Sequence, residues 1–465
     1  MRSNFDKYRP VISITFKGKV LIFIIRLVYL LRKWIGRPQW DEIVSAHHED
    51  PLKMTFAEKV YMGHKYYYKA MVKSEANSGL KEHFKNQSLQ FHIPGGFIPQ
   101  QSFTLGAGGD LIPYECVNTE TCKNLWDDVG SFLFGNDLVF ANLETPVDTS
   151  MTKSAAPEIM LHDMYFNADE ETFSIFSGLG KYKGYDVLSI ANNHSLDMGM
   201  KGLINTMHFL RSKNIEFTGA APNEAATHSF PIIERNGINT AFLSYTYSLN
   251  KEELPEDAKW LCNHVPLNET NPDISLIVQQ AAIARQKGAD IIVALLHIGC
   301  AYQAYPSMHT VQNIRNICTH TGIDIILASH PHNAQPIEIF TSHAKQHLIV
   351  YSPGDLVGYD IFKWCHLSLL LKITVTKGRI GNKVHTLISR LEVMPVYMHA
   401  EAVKGRIKSL QLRNYYNLAE APENFFTKKK DLEKFLEIQM FFNEFINMPL
   451  KTNTGKYSLV QVEEE

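Results

Sequence analysis

Six residues of metal-ligand type stand at the ends of short apolar runs: Asp110, Glu144, Asn193, His297, His330 and His332. Two carboxylates, one amide oxygen and three imidazoles make a mixed oxygen and nitrogen donor set. That mixture suits borderline divalent transition metals, Mn, Zn or Fe, whereas Ca and Mg favour oxygen alone. Two such ions about 3.5–4 Å apart need a bridging carboxylate, which Asp110 or Glu144 could supply, and the pair is suited to attack on a phosphoester. Singly, three of the six have plainer readings. Asp110 reads as a turn or cap residue, Asn192-Asn193 as a left-handed turn, and His297 as a satisfied core histidine. His330-Pro331-His332 resists such a reading, because its two imidazoles can point to one side. Their convergence makes a metal centre the expectation.

Short strands must hold these groups. The runs Phe103–Ala107, Leu138–Ala141, Val187–Ala191, Ile291–Leu296 and Ile323–Ala328 each end in one of the polar clusters. Helical stretches at Lys201–Lys213, Ser275–Lys287 and Val311–Thr321 separate several of them. A β-α-β order predicts an at least partly parallel sheet, whose function gathers beyond the carboxyl ends of its strands. Pro231–Glu234, Asn239–Tyr245, His347–Ser352, His366–Val375 and Leu387–Val393, with turns at Gly237 and Gly378, read as hairpins completing a second sheet. Ahead of the strands a helix is expected around Phe56–Ser74, closed off by Pro94-Gly95-Gly96. Behind them, from about His399, a helical tail with Lys428-Lys429-Lys430 runs through Phe445.

Composition agrees with a globular protein of two or three domains, or of one large domain with appendages: 465 residues, 45% hydrophobic and 20% charged. The net charge of −2 carries no basic field for nucleic acid, and no nucleic-acid partner is expected. Residues 1–37 nevertheless hold nine basic side chains against Asp6, a local +8 that leaves −10 for the remainder. Six cysteines fit no disulfide framework, and the spacing of Cys116 and Cys122 fits no common zinc site, so buried free thiols are expected. The run from Val20 to Leu31 contains Arg26 and would rise only about 18 Å as a helix, short of the roughly 30 Å hydrocarbon core. Lys19, Arg26 and Lys33, seven apart, form one cationic stripe. An interfacial membrane anchor over residues 17–37 is the expectation. The alternatives are a helix packed on the body with its stripe outward, and a spanning signal-anchor.

The order Gly109-Asp110, Asn142-Leu143-Glu144-Thr145-Pro146, Ala191-Asn192-Asn193-His194-Ser195-Leu196-Asp197-Met198-Gly199, His297-Ile298-Gly299, Ser329-His330-Pro331-His332, Tyr351-Ser352-Pro353-Gly354-Asp355 resembles the CapA family. These are capsule and poly-γ-glutamate synthesis proteins, a branch of the calcineurin-like metallophosphatase superfamily. The resemblance covers about residues 101–360. It implies an α/β fold, a four-layer αββα sandwich, and a dinuclear centre of two divalent transition metals; the helical N- and C-terminal extensions are expected from the residue pattern alone, since the resemblance does not reach them. The ligands it implies are Asp110, Glu144, Asn193, His297, His330 and His332, with His194 touching the phosphoryl group or protonating the leaving group. Asp197 is read either as holding His194 in one tautomer or as capping the helix that follows. Ile112 stands where the superfamily's first motif carries histidine, and Asp355 where CapA-like chains carry asparagine. The expected organisation is a membrane-associating segment (1–40), a helical extension (41–100), the metallophosphatase domain (101–400) and a helical tail (401–465). The implied role is metal-dependent hydrolysis in capsule or poly-γ-glutamate biosynthesis, or non-catalytic anchoring of a membrane polymer-assembly complex. Expected partners are a phosphoester or anionic polymer substrate, the membrane surface of a bacterial cell envelope, and a polymer-synthesis complex.

Overall fold

The computed structural model describes residues 9–34, 49–161, 164–446 and 458–460. Its strands in chain order are β1 (Phe97–Leu111), β2 (Leu138–Leu143), β3 (Val187–Ser189), β4 (Glu216–Thr218), β5 (Ile232–Arg235), β6 (Ile238–Thr246), β7 (Ile291–His297), β8 (Ile325–Ser329), β9 (Ile337–Ser342), β10 (Lys345–Val350), β11 (Asp355–Val357), β12 (Leu367–Ile380), β13 (Lys383–Val403), β14 (Arg406–Asn414) and β15 (Ser458–Val460). They form two sheets. One runs β14-β13-β12-β1-β2-β3-β4, with β11 added to β1 and β15 to β13; the other runs β5-β6-β7-β8-β10-β9. From β1 to β4, and through β6, β7, β8 and β10, neighbours are parallel.

Alternation along β2 sets the layers. Leu138 and Phe140 join the core between the sheets, where Phe140 meets Phe242 of β6 at 5.2 Å, while Val139 and Ala141 join a second core beneath helices. Those helices, Glu170–Phe176 and Gly199–Ser212 among them, cover the outer face of the first sheet. β7 and β8 are apolar and buried throughout, as strands covered on both faces must be. Helices Ser275–Gln286 and Met308–Thr321 pack on them. The result is the αββα order implied by the resemblance.

Several expectations need correction. β1 begins at Phe97, not Phe103, and runs past Asp110 to Leu111. The helix around Phe56–Ser74 is Phe56–Gly63, continued by a π-helical turn at His64–Tyr68. Residues from 401, expected to be helical, open with the end of β13 and all of β14, and only then form the helix Lys429–Phe441. The six cysteines are free and all but Cys116 are buried.

Near the N-terminus a helix spans Phe16–Trp34. Arg26 turns towards the body, its Nε donating to the carbonyl of Tyr67 (3.1 Å) and Nη2 to that of Val11 (3.4 Å), so the stripe does not face solvent as a whole. Burial, then Arg9, lowers its pKa to about 10. Besides Lys17 and Lys19 near its start, the helix turns large apolar side chains outward: Phe16 (82% exposed), Val20, Phe23 (68%), Ile24, Leu27, Val28, Leu30 and Leu31. No helix among the described residues is long and apolar enough to cross a membrane. Arg2, Lys7 and Arg37 of the basic head, and the tail beyond Ile446 apart from β15, lie outside the described residues.

Candidate metal centre

Strand pairing assembles the acidic half of the site. In register, Asp110 on β1 faces Asn142 on β2 and Asp355 on β11. The β1–β11 approach is so close that a Cβ on Gly109 would lie 1.6 Å from the carbonyl oxygen of Gly354, so only glycine fits there. Asn142 continues the inward alternation of β2 and donates from Nδ2 to Asp110 Oδ1 at 2.8 Å. Glu144 follows directly, fully buried.

The second sheet supplies the imidazoles. β7 and β8 pair His297 with Ser329, and His297 Nδ1 lies 2.8 Å from Ser329 Oγ. Its Nε2 is 2.8 Å from Asn193 Oδ1 and 3.7 Å from Glu144 Oε1. Past β8 the backbone turns left-handed at both His330 (φ 98°) and His332 (φ 62°), conformations that cost bulky residues free energy and cluster at functional sites.

Two donor sets result, and Asp110 belongs to both. In one, atoms of Asp110, Glu144 and His297 lie within 4.8 Å of one another; in the other, atoms of Asp110, His332 and Asp355 do. Asp355 was not among the residues expected from the sequence. It lies with Asp110 and His332 in the second of these sets. Both carboxylate oxygens of Glu144, Oδ2 of Asp355 and Nδ1 of His330 are buried without a hydrogen-bond partner. Orphaned polar atoms of this kind are costly unless something else meets them.

The electrostatics point the same way. Burial and the nearby Asp110 push the Glu144 carboxyl well above its usual range, and burial raises Asp110. Burial, then His330 and His332, holds His297 well below the usual imidazole value, and burial lowers His330 to about 4. Burial opposes charge on His332 too, but Asp355, 3.0 Å from its Nδ1, lifts it to about 10. Three buried carboxyls facing one cationic imidazole is a cavity short of positive charge, and divalent ions would supply it. The residues present fit a pair of transition metals.

Tyr247, just past β6, and Glu49 of the N-terminal extension reach the site. Tyr247 spends its hydroxyl proton on the carbonyl of Glu49 (3.2 Å), so its oxygen accepts from His330 Nε2 at 3.0 Å. The lone pair of His330 is thereby left on Nδ1. The Glu49 carboxylate pairs with the buried Lys65, accepts the Ala301 N–H at 2.7 Å and lies 3.5 Å from His330 Nε2. Burial works against its charge, but Lys65 beside it keeps its pKa below the usual carboxylate range. Nothing in the sequence marked Glu49, Lys65 or Tyr247. Asp355 had a signal, its place in the Pro353-Gly354-Asp355 turn.

His194 stands one step outward. Its Nδ1 is 2.7 Å from Asp197 Oδ2, which also accepts the Phe166 N–H at 2.6 Å, and its ring stacks on Phe166 at 4.1 Å. Helix Gly199–Ser212 starts without a side-chain cap, so Asp197 orients His194 rather than capping. A cleft of about 570 Å³ opens over the centre, lined by Asn193, His194, Tyr247, Tyr302, His330 and His332.

Residues 101–360 match the family described as "Bacterial capsule synthesis protein PGA_cap". The chain is 28% identical over 252 residues to "Capsule biosynthesis protein CapA" of Bacillus anthracis, covering 52% of this chain and 56% of that one. It is 25% identical over 299 residues to "PGA biosynthesis protein CapA" of Bacillus subtilis, covering 64% and 71%. A calcineurin-like phosphoesterase structure from Bacillus subtilis aligns at 14% identity with a TM-score of 0.36, over 73% of this chain and 100% of that one.

Proposed function

The chain belongs to the bacterial capsule synthesis protein family PGA_cap, and on that premise we propose that it is a metal-dependent phosphoester hydrolase serving capsule or poly-γ-glutamate assembly. One observation carries the reading: the buried, partnerless oxygens of Glu144 and Asp355 lie in two donor sets that share Asp110. In this reading Asp110, Glu144, Asn193 and His297 hold one ion, and Asp110, His332 and Asp355 hold the other, with His330 beside them. Divalent ions there supply charge neutralisation and activation of the nucleophile. The chain's own residues do the rest. Asp197 takes Nδ1 of His194, which leaves Nε2 as the nitrogen that can carry a proton to the departing oxygen, a contribution of about 10²–10⁴-fold. Phe166 holds the ring flat against the wall.

A second reading, a non-catalytic accessory or anchoring component of a polymer-assembly complex, is favoured by Ile112, which lines the cleft where the superfamily's first motif carries histidine. Metal analysis of the purified full chain, together with hydrolysis of bis(p-nitrophenyl) phosphate, separates the two. One to two transition metals per chain with metal-dependent turnover is expected. Metal without turnover of any phosphoester leaves the accessory role, and a folded chain that takes up no metal removes both the centre and the hydrolase.

We also propose that the protein works at a membrane surface of the cell envelope, with the apolar face of helix Phe16–Trp34 laid into the lipid. The support is the inverted pattern of that helix, whose Arg26 turns inward while its large apolar side chains face out.

A further inference from the structure

The cleft over the metal centre is unlike a phosphate pocket on its remaining sides. Met54 and Met62 come to it from the N-terminal extension, and Met160, Leu161 and Met164 from the segment that follows Ala156. Leu161, 60% exposed, adds its side chain to this apolar lining. Unbranched thioether side chains line surfaces that must fit a flexible apolar partner. The cations the cleft adds are Lys59 and Lys251, few for a polyanionic chain.

The segment that forms this wall also holds the outward-facing helix. Glu158 accepts hydrogen bonds from Ser13 Oγ (2.9 Å) and the Thr15 N–H (3.0 Å) just before that helix begins. Ile159 packs so closely at Gly18 that a Cβ there would lie 2.8 Å from Ile159 Cδ1. The carbonyl of Met160 accepts from Tyr67 Oη at 2.5 Å, and the carbonyl of Tyr67 accepts from Arg26 of the helix. The helix, this loop and the cleft wall are thus tied together by contacts, and the same wall borders His194 and His330 in the cleft.

We propose that the phosphoester taken by this cleft is amphiphilic: a phosphate ester of a long-chain alcohol, presented from a lipid surface with its phosphate on the metal centre and its hydrocarbon along the methionine wall. The proposal rests on the hydrolase reading and narrows it to a substrate class. Hydrolysis breaks the phosphorus–oxygen ester bond and puts the water oxygen, with one of its protons, on phosphorus; the His194 Nε2 proton goes to the departing alkoxide, and the water's other proton returns to His194 through solvent.

The test uses the full chain with Mn²⁺ and n-alkylphosphonates from ethyl to decyl, kept below their micelle concentrations, with affinity read by calorimetry. Decylphosphonate is expected to bind at least about 30-fold tighter than ethylphosphonate. In Met160→Asp/Met164→Asp, and separately in the milder Met62→Gln, that ratio should collapse to a few-fold, with circular dichroism confirming the fold. Equal affinities along the series overturn the proposal. So does a decyl preference that survives in the methionine variants, because the chain is then held elsewhere. Phosphate release from the matching alkyl phosphates keeps the two readings apart. Chain-length-dependent binding without release removes the hydrolase and keeps the ligand class, whereas equal turnover of ethyl and decyl phosphate with equal phosphonate affinities does the reverse.

Discussion

Tyr247 leaves Nδ1 of His330 as the nitrogen open to the proposed metals, because its own proton is committed to the Glu49 carbonyl. Tyr247→Phe therefore frees the imidazole to choose its tautomer and should weaken metal binding about 10–100-fold with the fold intact, measured by metal titration. Glu49→Gln differs in kind. It strands the buried Lys65 ammonium and should cost about 3–5 kcal/mol of stability, read from urea unfolding, whereas replacing both partners by apolar residues should recover much of that loss. His194 belongs to the substrate side. His194→Ala should keep the metal and lose turnover by about 10²–10⁴-fold. Asp197→Asn should lose less, since it disturbs the tautomer and not the donor. Loss of metal in His194→Ala makes it a ligand and ends that assignment. Of the site, the six residues expected as ligands come together around one cavity, because each ends a recognisable apolar run. The supporting groups were illegible for a simple reason. Glu49 acts through contacts with Tyr247, Ala301 and His330, far away in the chain, and Lys65 acts through Glu49; single-chain spacing carries no trace of such contacts.

At the scale of elements, the parallel strands were readable because strands covered on both faces are continuous apolar runs. β14 was not. Its pairing with β13 slips between Glu401 and Ala402, so Ile407 and the pair Leu410 and Leu412 fall out of a single period of two, and the pattern reads as irregular. The direction faced by helix Phe16–Trp34 was equally hidden, since a cationic stripe beside an apolar arc fits either orientation until a partner surface is known. Phe23→Asp/Leu27→Asp changes only outward residues, so the body should stay folded and flotation with anionic liposomes should be lost; retained flotation rejects the membrane role of this face. The β1–β11 crossing gives a sharper expectation. Gly109→Ala must push Gly354 away, separating Asp110 from Asp355, at a cost of about 1–3 kcal/mol or more and with metal content reduced.

The whole molecule closes on itself at the far end, where helix Lys429–Phe441 lays Phe435 against Tyr397 of β13. His399 beside this contact is pushed down to about 4 by burial, then by Lys434, Arg413 and Lys428. The unfolded chain takes up a proton there near pH 6.5 and the folded one does not until about 4, so stability is full above 6.5 and falls with pH across that window. Thermal melts between pH 7 and 4 should show the decline, and His399→Gln should flatten part of it. The Glu49–His330 contact has a consequence in time. At about 5–20 residues per second, roughly 15–60 s of synthesis separate the two residues, and β11 with Asp355 comes later still. A ribosome-bound chain thus holds Glu49, Lys65 and Asp110 as scattered, hydrated charges with no cavity to enter. In the proposed reading, metal uptake therefore waits until Asp355 has been made and has joined Asp110.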